Sequence, residues 1–163
     1  MGRAFHVPCS LIMPARRVCV SACLLGERCR YDGSSKLEPS LVRALEESGC
    51  EVVPVCPEVL GGLPTPRPAS EIRGARVYTV EGADVTAAFE RGRDAALAAL
   101  DLDGKGIDLA ILQPKSPSCG VTRVYDGTFS GRLVPGCGVF ARALLSRGIT
   151  CLDGTDVGQS KQT

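Results

Sequence analysis

The sequence predicts an α/β protein with a doubly wound, mostly parallel sheet and helices on both faces. Short apolar or β-branched runs alternate along the chain with segments of helical periodicity. The strand-like runs are apolar at nearly every position, which is typical of parallel strands buried on both faces. Because parallel crossovers are right-handed and both faces of such a sheet need cover, this order favours a Rossmann-like, three-layer arrangement.

The chain is long enough for one domain. With 163 residues, 44% of them hydrophobic, it can bury one sizeable core. Residues 1–16 show no clear period and include the only histidine, His6. We therefore predict a flexible amino-terminal extension over residues 1–16 and a single domain over residues 17–163.

The first predicted elements are a strand, a helix and a second strand. Arg17–Ser21 is a short β-branched run that ends in a glycine-containing loop. The helix begins at Pro39, a first-turn position for proline, and ends at Gly49. Glu51–Val55 is the second strand, and Pro54, which lacks an N–H donor, places it at an edge or marks its end.

A strand and a long helix are predicted next. The first is a hairpin or strand around Arg76–Val80, which turns at Glu81-Gly82. Asp84 is the predicted cap of a helix whose apolar positions recur at helical spacing. These positions are Val85, Ala88, Phe89, Gly92, Ala96 and Leu100.

The last third of the chain predicts a strand, a long loop, a helix and a final strand. Ile107–Leu112 is the strand, and the glycine-punctuated stretch from Gln113 to Leu133 is the loop. Pro135–Arg147 is predicted as a helix that stops at Gly148. Thr150–Leu152 is predicted as the last strand.

Charge and hydropathy exclude two classes of protein. Nineteen Lys and Arg residues against eighteen Asp and Glu residues give a net charge of +1, so we expect no large nucleic-acid surface. The longest apolar runs fall well short of the ~20 residues that a membrane span needs. The expected partner is a small molecule, and the composition does not indicate an oligomeric state.

The cysteines point to a reducing compartment. Val20-Ser-Ala-Cys23 resembles a lipoprotein cleavage box, but Arg16 and Arg17 stand where its apolar segment belongs. We therefore expect a cytoplasmic protein. In that compartment nine cysteines indicate metal ligation or catalysis more often than disulfides.

Three cysteines follow predicted strands. Cys23 follows the first strand, Cys56 the second, and Cys119 lies in the loop after Ile107–Leu112. Ligands in such sheets bind outside the carboxyl ends of the strands, so the fold brings these thiols to one rim. Soft thiolates suit zinc or an iron–sulfur cluster, and three ligands leave one position open for a substrate.

Polar residues near these cysteines are candidates for proton transfer and substrate binding. Glu58 lies two residues after Cys56, and Ser116 lies three residues before Cys119. Lys115, Arg30 and Arg67 are candidate substrate-binding cations, and Arg67 is held between two prolines.

The other cysteines have different interpretations. Cys19, Cys50 and Cys151 lie in or beside strands and read as small packing residues. Cys29 could supply a fourth ligand, which would close the site and favour a structural or sensor domain. Cys137 stands at a helix start, which by itself is weak support for reactivity.

Several blocks of sequence resemble one known family. They are Val20-Ser-Ala-Cys-Leu-Leu-Gly26 with Cys29-Arg-Tyr-Asp-Gly33, Pro54-Val-Cys-Pro-Glu58 with Gly61-Gly-Leu-Pro-Thr-Pro-Arg67, and Lys115-Ser-Pro-Ser-Cys-Gly120 with Tyr125-Asp-Gly-Thr-Phe-Ser-Gly131. The chain resembles the thiouracil desulfidase family over about residues 17 to 153. It departs from the family at Cys137, where an acidic residue is usual.

The resemblance implies a cofactor, a substrate and a set of site residues. It implies a [4Fe-4S] cluster held by Cys23, Cys56 and Cys119, with Glu58 and Ser116 as catalytic residues. The implied reaction removes sulfur from a thiolated uracil base or nucleotide without a redox change and releases hydrogen sulfide. The open iron would act as a Lewis acid.

Two rival functions are less favoured by the sequence. A thiol-redox protein would be expected to carry a Cys-x-x-Cys motif, and none is present. A dinucleotide-binding protein would carry Gly-x-Gly-x-x-Gly after the first strand, and this chain does not. The main alternative is a non-catalytic metal-binding or cluster-binding domain.

Overall fold

The computed structural model describes residues 17–154. The predicted extension over residues 1–16 lies outside the described residues, as do residues 155–163. The strands are β1 (Arg17–Ser21), β2 (Glu51–Val55), β3 (Ser70–Arg73), β4 (Arg76–Thr79), β5 (Leu109–Leu112), β6 (Arg123–Tyr125), β7 (Leu133–Pro135) and β8 (Cys151–Asp153). The α-helices are α1 (Pro39–Ser48), α2 (Pro57–Leu60), α3 (Thr86–Leu100) and α4 (Val139–Ser146), and a 3-10 helix covers Ala22–Leu25.

The central sheet is parallel and four-stranded, in the order β2-β1-β5-β8. The pairing of β1 with β2 runs from Arg17 opposite Glu51 to Ser21 opposite Val55. Strand β2 is an edge strand, which confirms the interpretation of Pro54. The chain leaves β1 for β2 on one side and returns to β5 on the other, so a crevice opens between the carboxyl ends of β1 and β5.

Alternating residues of the inner strands pack into two separate hydrophobic cores, one on each face of the sheet. Val18 and Val20 of β1 face a cluster that includes Leu41 and Leu45 of α1. Cys19 faces the opposite cluster, which includes residues of α3 and α4. Helices therefore cover both faces of the sheet, as the sequence predicts.

Helix α3 carries the predicted apolar face. Its buried residues are Ala88, Phe89, Gly92, Ala96 and Leu100. The helix begins at Thr86 and its N-cap is Val85, so the prediction of Asp84 as the cap is wrong by one residue. Asp84 Oδ1 still accepts the N–H of Thr86 at 3.0 Å. The next longest helix, α1, is five residues shorter. No helix within residues 17–154 has the length and apolar composition of a membrane span.

Two antiparallel hairpins differ from the sequence prediction. The chain turns after β4 at Glu81-Gly82, as predicted, where the N–H of Gly82 donates to the carbonyl of Thr79 at 2.9 Å, but the strand that pairs with β4 is β3, which precedes it. Ser70–Arg73 has only one apolar residue, so alternation gives no strand signal there. Strands β6 and β7 form a second hairpin inside and at the end of the stretch predicted as loop.

The boundaries of three further elements are corrected. Helix α4 begins at Val139 and not at Pro135, because Pro135 belongs to β7 and the chain stays extended through Gly138. Strand β5 begins at Leu109 and not at Ile107. Strand β8 is shifted by one residue and ends at Asp153.

Candidate functional site

All eight residues singled out from the sequence line one cavity at the carboxyl edge of the sheet. Its volume is about 560 Å³, within the usual range for small-molecule sites. The eight are Cys23, Arg30, Cys56, Glu58, Arg67, Lys115, Ser116 and Cys119, and Cys29 lines the same cavity. Three strands and the loops that follow them therefore converge on one site.

Each candidate ligand is placed by the element that follows its strand. Cys23 lies in the 3-10 helix directly after β1 and is buried. Cys56 is the N-cap residue of α2, directly after β2. Cys119 lies in the loop after β5 and is buried.

The Cys119 loop is fixed by side chains on both of its flanks. Ser116 Oγ accepts the backbone N–H groups of Ser118 and Cys119, both at 3.1 Å. On the other flank, Asp153 accepts the N–H of Val121 at 2.9 Å and the hydroxyl of Thr122 at 2.7 Å. Two N–H groups thus use the acceptor capacity of the Ser116 hydroxyl, and its proton makes no hydrogen bond to another residue in the described range.

The thiols contact one another and nearby polar atoms. Hydrogen bonding with the Cys23 thiol raises the pKa of Cys29 to about 11, against an opposing effect of Cys56. Contact with Cys29 raises the pKa of Cys56 far above its usual range. Burial raises the pKa of the Cys119 thiol well above its ordinary value, and hydrogen bonding with Ser21 opposes this.

Glu58 and Arg67 form an ion pair in the cavity wall. Arg67 Nε donates to Glu58 Oε1 at 3.2 Å, and the two side chains are only 15% (Glu58) and 4% (Arg67) exposed. Glu58 Oε2 makes no hydrogen bond to any residue in the range 17–154. One carboxylate oxygen is therefore held, and the other is available to a water or substrate.

Helix α2, which carries Glu58, packs on α3 through two glycines. A Cβ on Gly92 would overlap the carbonyl oxygen of Pro57, and a Cβ on Gly61 would overlap that of Ala88. The close approach of the two backbones requires glycine at both positions. This contact fixes the position of Glu58 relative to the large helix behind it.

The two other candidate cations differ in their surroundings. Arg30 Nη1 donates to Ser34 Oγ at 3.2 Å and lies 4.0 Å from Asp32, and its guanidinium stands over the Tyr31 ring. Lys115 is exposed and has a left-handed backbone with φ of 66°. Its side chain makes no salt bridge within the described range, and the residue lines the cavity.

Sequence reasoning missed two residues of the cavity wall. Gln113 Oε1 accepts the Cys23 thiol at 3.7 Å, and Gln113 follows β5 directly, so the rule that found the cysteines could have found it. Glu71 is buried and its Oε1 accepts the N–H groups of Gly127 and Phe129 at 3.0 and 3.1 Å. Glu71 precedes the loop that it holds by more than fifty residues, and no sequence motif links the two.

The remaining described cysteines lie outside the cavity. Cys19 and Cys151 are buried in the core behind the site, Cys50 packs against the α1 side, and Cys137 packs at the edge of the α4 side. This confirms the packing interpretation for Cys19, Cys50 and Cys151. All eight described cysteines are free thiols. Between residues 17 and 154 no three His, Cys, Asp or Glu side chains are arranged to hold a single metal ion.

The fold and the site define a class of α/β protein in which thiols at a sheet edge surround a small-molecule cavity. A family model described as 2-thiouracil desulfurase matches residues 18–156. The chain belongs to the 2-thiouracil desulfurase family.

Two known proteins are similar to this chain over most of its length. A protein of Bacillus subtilis (strain 168), described as uncharacterized protein YbbK, is 37% identical over 142 residues, which cover 80% of this chain and 91% of that protein. The solved structure of the [4Fe-4S]-dependent thiouracil desulfidase TudS is 43% identical and superposes with a TM-score of 0.79. That comparison covers 86% of this chain and 92% of TudS.

Proposed function

We propose that this chain is a [4Fe-4S]-dependent enzyme that converts a thiolated uracil, as base or nucleotide, to the uracil product and hydrogen sulfide. The observation that carries the proposal is the convergence of Cys23, Cys56 and Cys119 on one cavity, together with Glu58 and Ser116. Membership of the family and the similarity to TudS support the same reaction.

The donor set fits an iron–sulfur cluster. The three cysteines come from three different strand ends, and thiolates are the ligands that such clusters use. A four-iron cluster binds each thiolate at a different iron atom, so its ligands stand further apart than those of a single ion. The fit to a cluster is supported by the chemistry of the thiol donors and by the single cavity that Cys23, Cys56 and Cys119 line.

The cofactor and the protein contribute different chemistry. When bound through three cysteines, the cluster supplies an iron without a protein ligand that acts as a Lewis acid toward the thiocarbonyl sulfur. The overall reaction consumes one water and releases one hydrogen sulfide. A C–S bond is replaced by a C–O bond, and no electron is gained or lost.

Glu58 is the proposed general base and acid. Arg67 holds its Oε1, while Oε2 is available to take a proton from the attacking water. The same carboxyl group returns a proton to the departing sulfur or to a ring nitrogen. Because Glu58 lies two residues after Cys56, it is beside a proposed ligand of the cluster.

Ser116 is the proposed hydrogen-bond donor to the substrate. Two backbone N–H groups occupy its acceptor positions, so its hydroxyl can donate its proton to a developing negative charge. It also holds the loop that presents Cys119. Lys115 and Arg30 are proposed to contact polar or charged groups of the substrate at the open side of the cavity.

We propose that the protein acts in the cytoplasm. Its eight described cysteines are free thiols, as a reducing compartment would keep them. We also propose one domain from residue 17 onward, preceded by the extension over residues 1–16. This is supported by the central sheet, whose first strand begins at Arg17.

The test combines cofactor analysis with a product assay. Protein purified without oxygen is analysed for iron and acid-labile sulfide, and sulfide release is then measured on a panel of thiolated uracil bases, nucleosides and nucleotides. We expect about four irons per chain, as a [4Fe-4S] cluster requires, and sulfide release from at least one compound. An iron-replete protein that releases no sulfide from any of them refutes the proposal.

Glu58→Gln tests the proposed base. We expect the variant to keep its cluster absorbance and to lose turnover by a factor of roughly 10²–10⁴. Glu46→Gln, an exposed change on α1, is the matched control and should behave as the wild type. A Glu58→Gln protein with full turnover removes Glu58 from the mechanism.

The second candidate function is a non-catalytic cluster-binding or metal-binding domain. The contact of the Cys29 thiol with those of Cys23 and Cys56 favours it, since a fourth thiolate would close the site. Four ligands and an absorption spectrum that no thiolated uracil changes would support this alternative.

A further inference from the structure

The guanidinium of Arg67 is almost fully committed to protein partners. Its side chain is 4% exposed. Nε donates to Glu58 at 3.2 Å, Nη1 to the carbonyl of Pro64 at 3.2 Å and to Thr65 Oγ1 at 3.1 Å, and Nη2 to the carbonyl of Cys29 at 2.8 Å. Four of the five N–H donors of an arginine are therefore used.

This arrangement is poorly suited to binding an anionic substrate. To reach a phosphate with two donors, Arg67 would have to release at least one buried partner, and a buried acceptor without a donor costs free energy. Lys115 and Arg30, in contrast, line the cavity with charges that are more exposed. The cationic role at the substrate therefore falls to those two residues.

The partners of Arg67 are parts of the site itself. The carbonyl of Cys29 accepts Arg67 Nη2 and also the Cys56 thiol, which is 3.7 Å away. Glu58 follows Cys56 by two residues on α2. One side chain thus joins the segment after β1, the first turn of α2 and the proline-rich loop that carries Arg67.

We propose that Arg67 is a positioning residue, which holds the Glu58 carboxylate and the Cys29 segment in their places and does not contact the substrate. The part that concerns Glu58 rests on the proposed function. The part that concerns Cys29 depends only on the fold of the cluster-free chain. A lysine cannot replace Arg67, because its single ammonium cannot span Glu58, Thr65 and the carbonyl of Cys29.

A double-mutant cycle tests the link to Glu58. Turnover per cluster is measured for wild type, Glu58→Gln, Arg67→Gln and the double variant, together with KM. We expect Arg67→Gln to lower kcat by about tenfold or more and to leave KM within about threefold, and the double variant to be no slower than Glu58→Gln alone. The proposal is overturned if the fold-losses in kcat of the two single variants multiply in the double variant. It is also overturned if Arg67→Gln raises only the KM for phosphorylated substrates and leaves kcat unchanged.

Thiol labelling of the cluster-free, reduced protein tests the link to Cys29 without any turnover. The rate of alkylation at each cysteine is followed by mass spectrometry. In Arg67→Gln we expect labelling of Cys29 and Cys56 to accelerate by about tenfold, while labelling of Cys50, which precedes the start of β2, stays unchanged. Unchanged labelling of Cys29 and Cys56 overturns the proposal.

Controls separate this inference from the proposed function and from general unfolding. Arg93→Gln removes a half-buried arginine of α3 that is paired with Asp94, and it should match the wild type in both assays. Arg67→Lys should show the same two effects as Arg67→Gln, and it carries both comparisons if Arg67→Gln does not fold. An inactive but cluster-loaded wild type refutes the proposed function, whereas the labelling result still decides the role of Arg67.

Discussion

Gly92→Ala is predicted to disturb the candidate site by displacing α2, the helix that carries Glu58. The added Cβ would overlap the carbonyl oxygen of Pro57, the residue between Cys56 and Glu58. Neither backbone can yield easily, because Gly92 lies in the middle of α3 and Pro57 is buried at the first turn of α2. The strain is therefore relieved by moving α2 away from α3.

Two opposing effects determine how much Gly92→Ala changes the free energy of unfolding. Replacement of glycine by alanine inside a helix stabilises it by about 0.8–1.0 kcal/mol. Overpacking destabilises by about 1–3 kcal/mol, and the upper part of this range, about 2–3 kcal/mol, applies here because the Cβ would overlap a backbone atom. We therefore expect a net loss of about 1–2 kcal/mol in the free energy of unfolding. For a chain of this length, this corresponds to a fall in Tm of roughly 2–8 °C.

The assay is denaturant unfolding of the cluster-free protein, combined with iron content and turnover of the loaded protein. We expect lower stability together with reduced turnover, since Glu58 moves with α2. Glu90→Ala, an exposed change on the same helix, controls for helix propensity. A Gly92→Ala protein that is more stable by about 1 kcal/mol, with normal turnover, would refute the packing argument, since helix propensity alone predicts that gain.

Three further predictions concern other residues around the site. Cys29→Ser should keep the iron and sulfide content of the wild type while Cys23→Ser loses it, and loss in Cys29→Ser would instead identify a fourth ligand. Glu71→Ala should lower the free energy of unfolding by about 2–3 kcal/mol and accelerate amide exchange at Gly127, because two buried N–H groups lose a charged acceptor, and unchanged exchange would contradict this. Burial raises the pKa of Cys19 from 9.0 to about 12, so the unfolded chain loses the thiol proton first as the pH rises above 9.0. Between these two pH values the wild type should lose up to about 1.4 kcal/mol of stability per pH unit relative to Cys19→Ala. Parallel pH profiles of stability for the two proteins would contradict this prediction.

Two strands of the central sheet and the buried face of the longest described helix could be predicted from the sequence. Strands β1 and β2 have the predicted bounds, because each contains a short apolar run, Val18–Val20 in β1 and Val52–Val55 in β2. The buried face of α3 follows from spacing alone. The short hairpins could not be found in this way, since β3 has a single apolar residue and β6 and β7 have three residues each.

The convergence of the site residues was predictable for a topological reason. In a parallel sheet every strand delivers its following residue to the same edge, so Cys23 and Cys56 are placed there by the fold whatever the sequence between them. The partner of each side chain was not predictable in this way. Arg67 could be assigned to a substrate from its position between prolines, and only the acceptors around its guanidinium show that the protein itself uses this charge.

The contacts that hold the site explain why so many of its residues lie outside regular elements. Loops can present side chains at an edge but are less rigid than strands, so each one here is tied by side chains to another part of the fold. Asp153 at the end of β8 ties the Cys119 loop, and Glu71 of β3 ties the loop at Gly127. A site that must hold several thiols at fixed separations needs such ties, since a loosened ligand loses affinity for the cofactor. Changes at Asp153 or Glu71 should therefore reduce cluster retention even though neither residue is proposed to bind it.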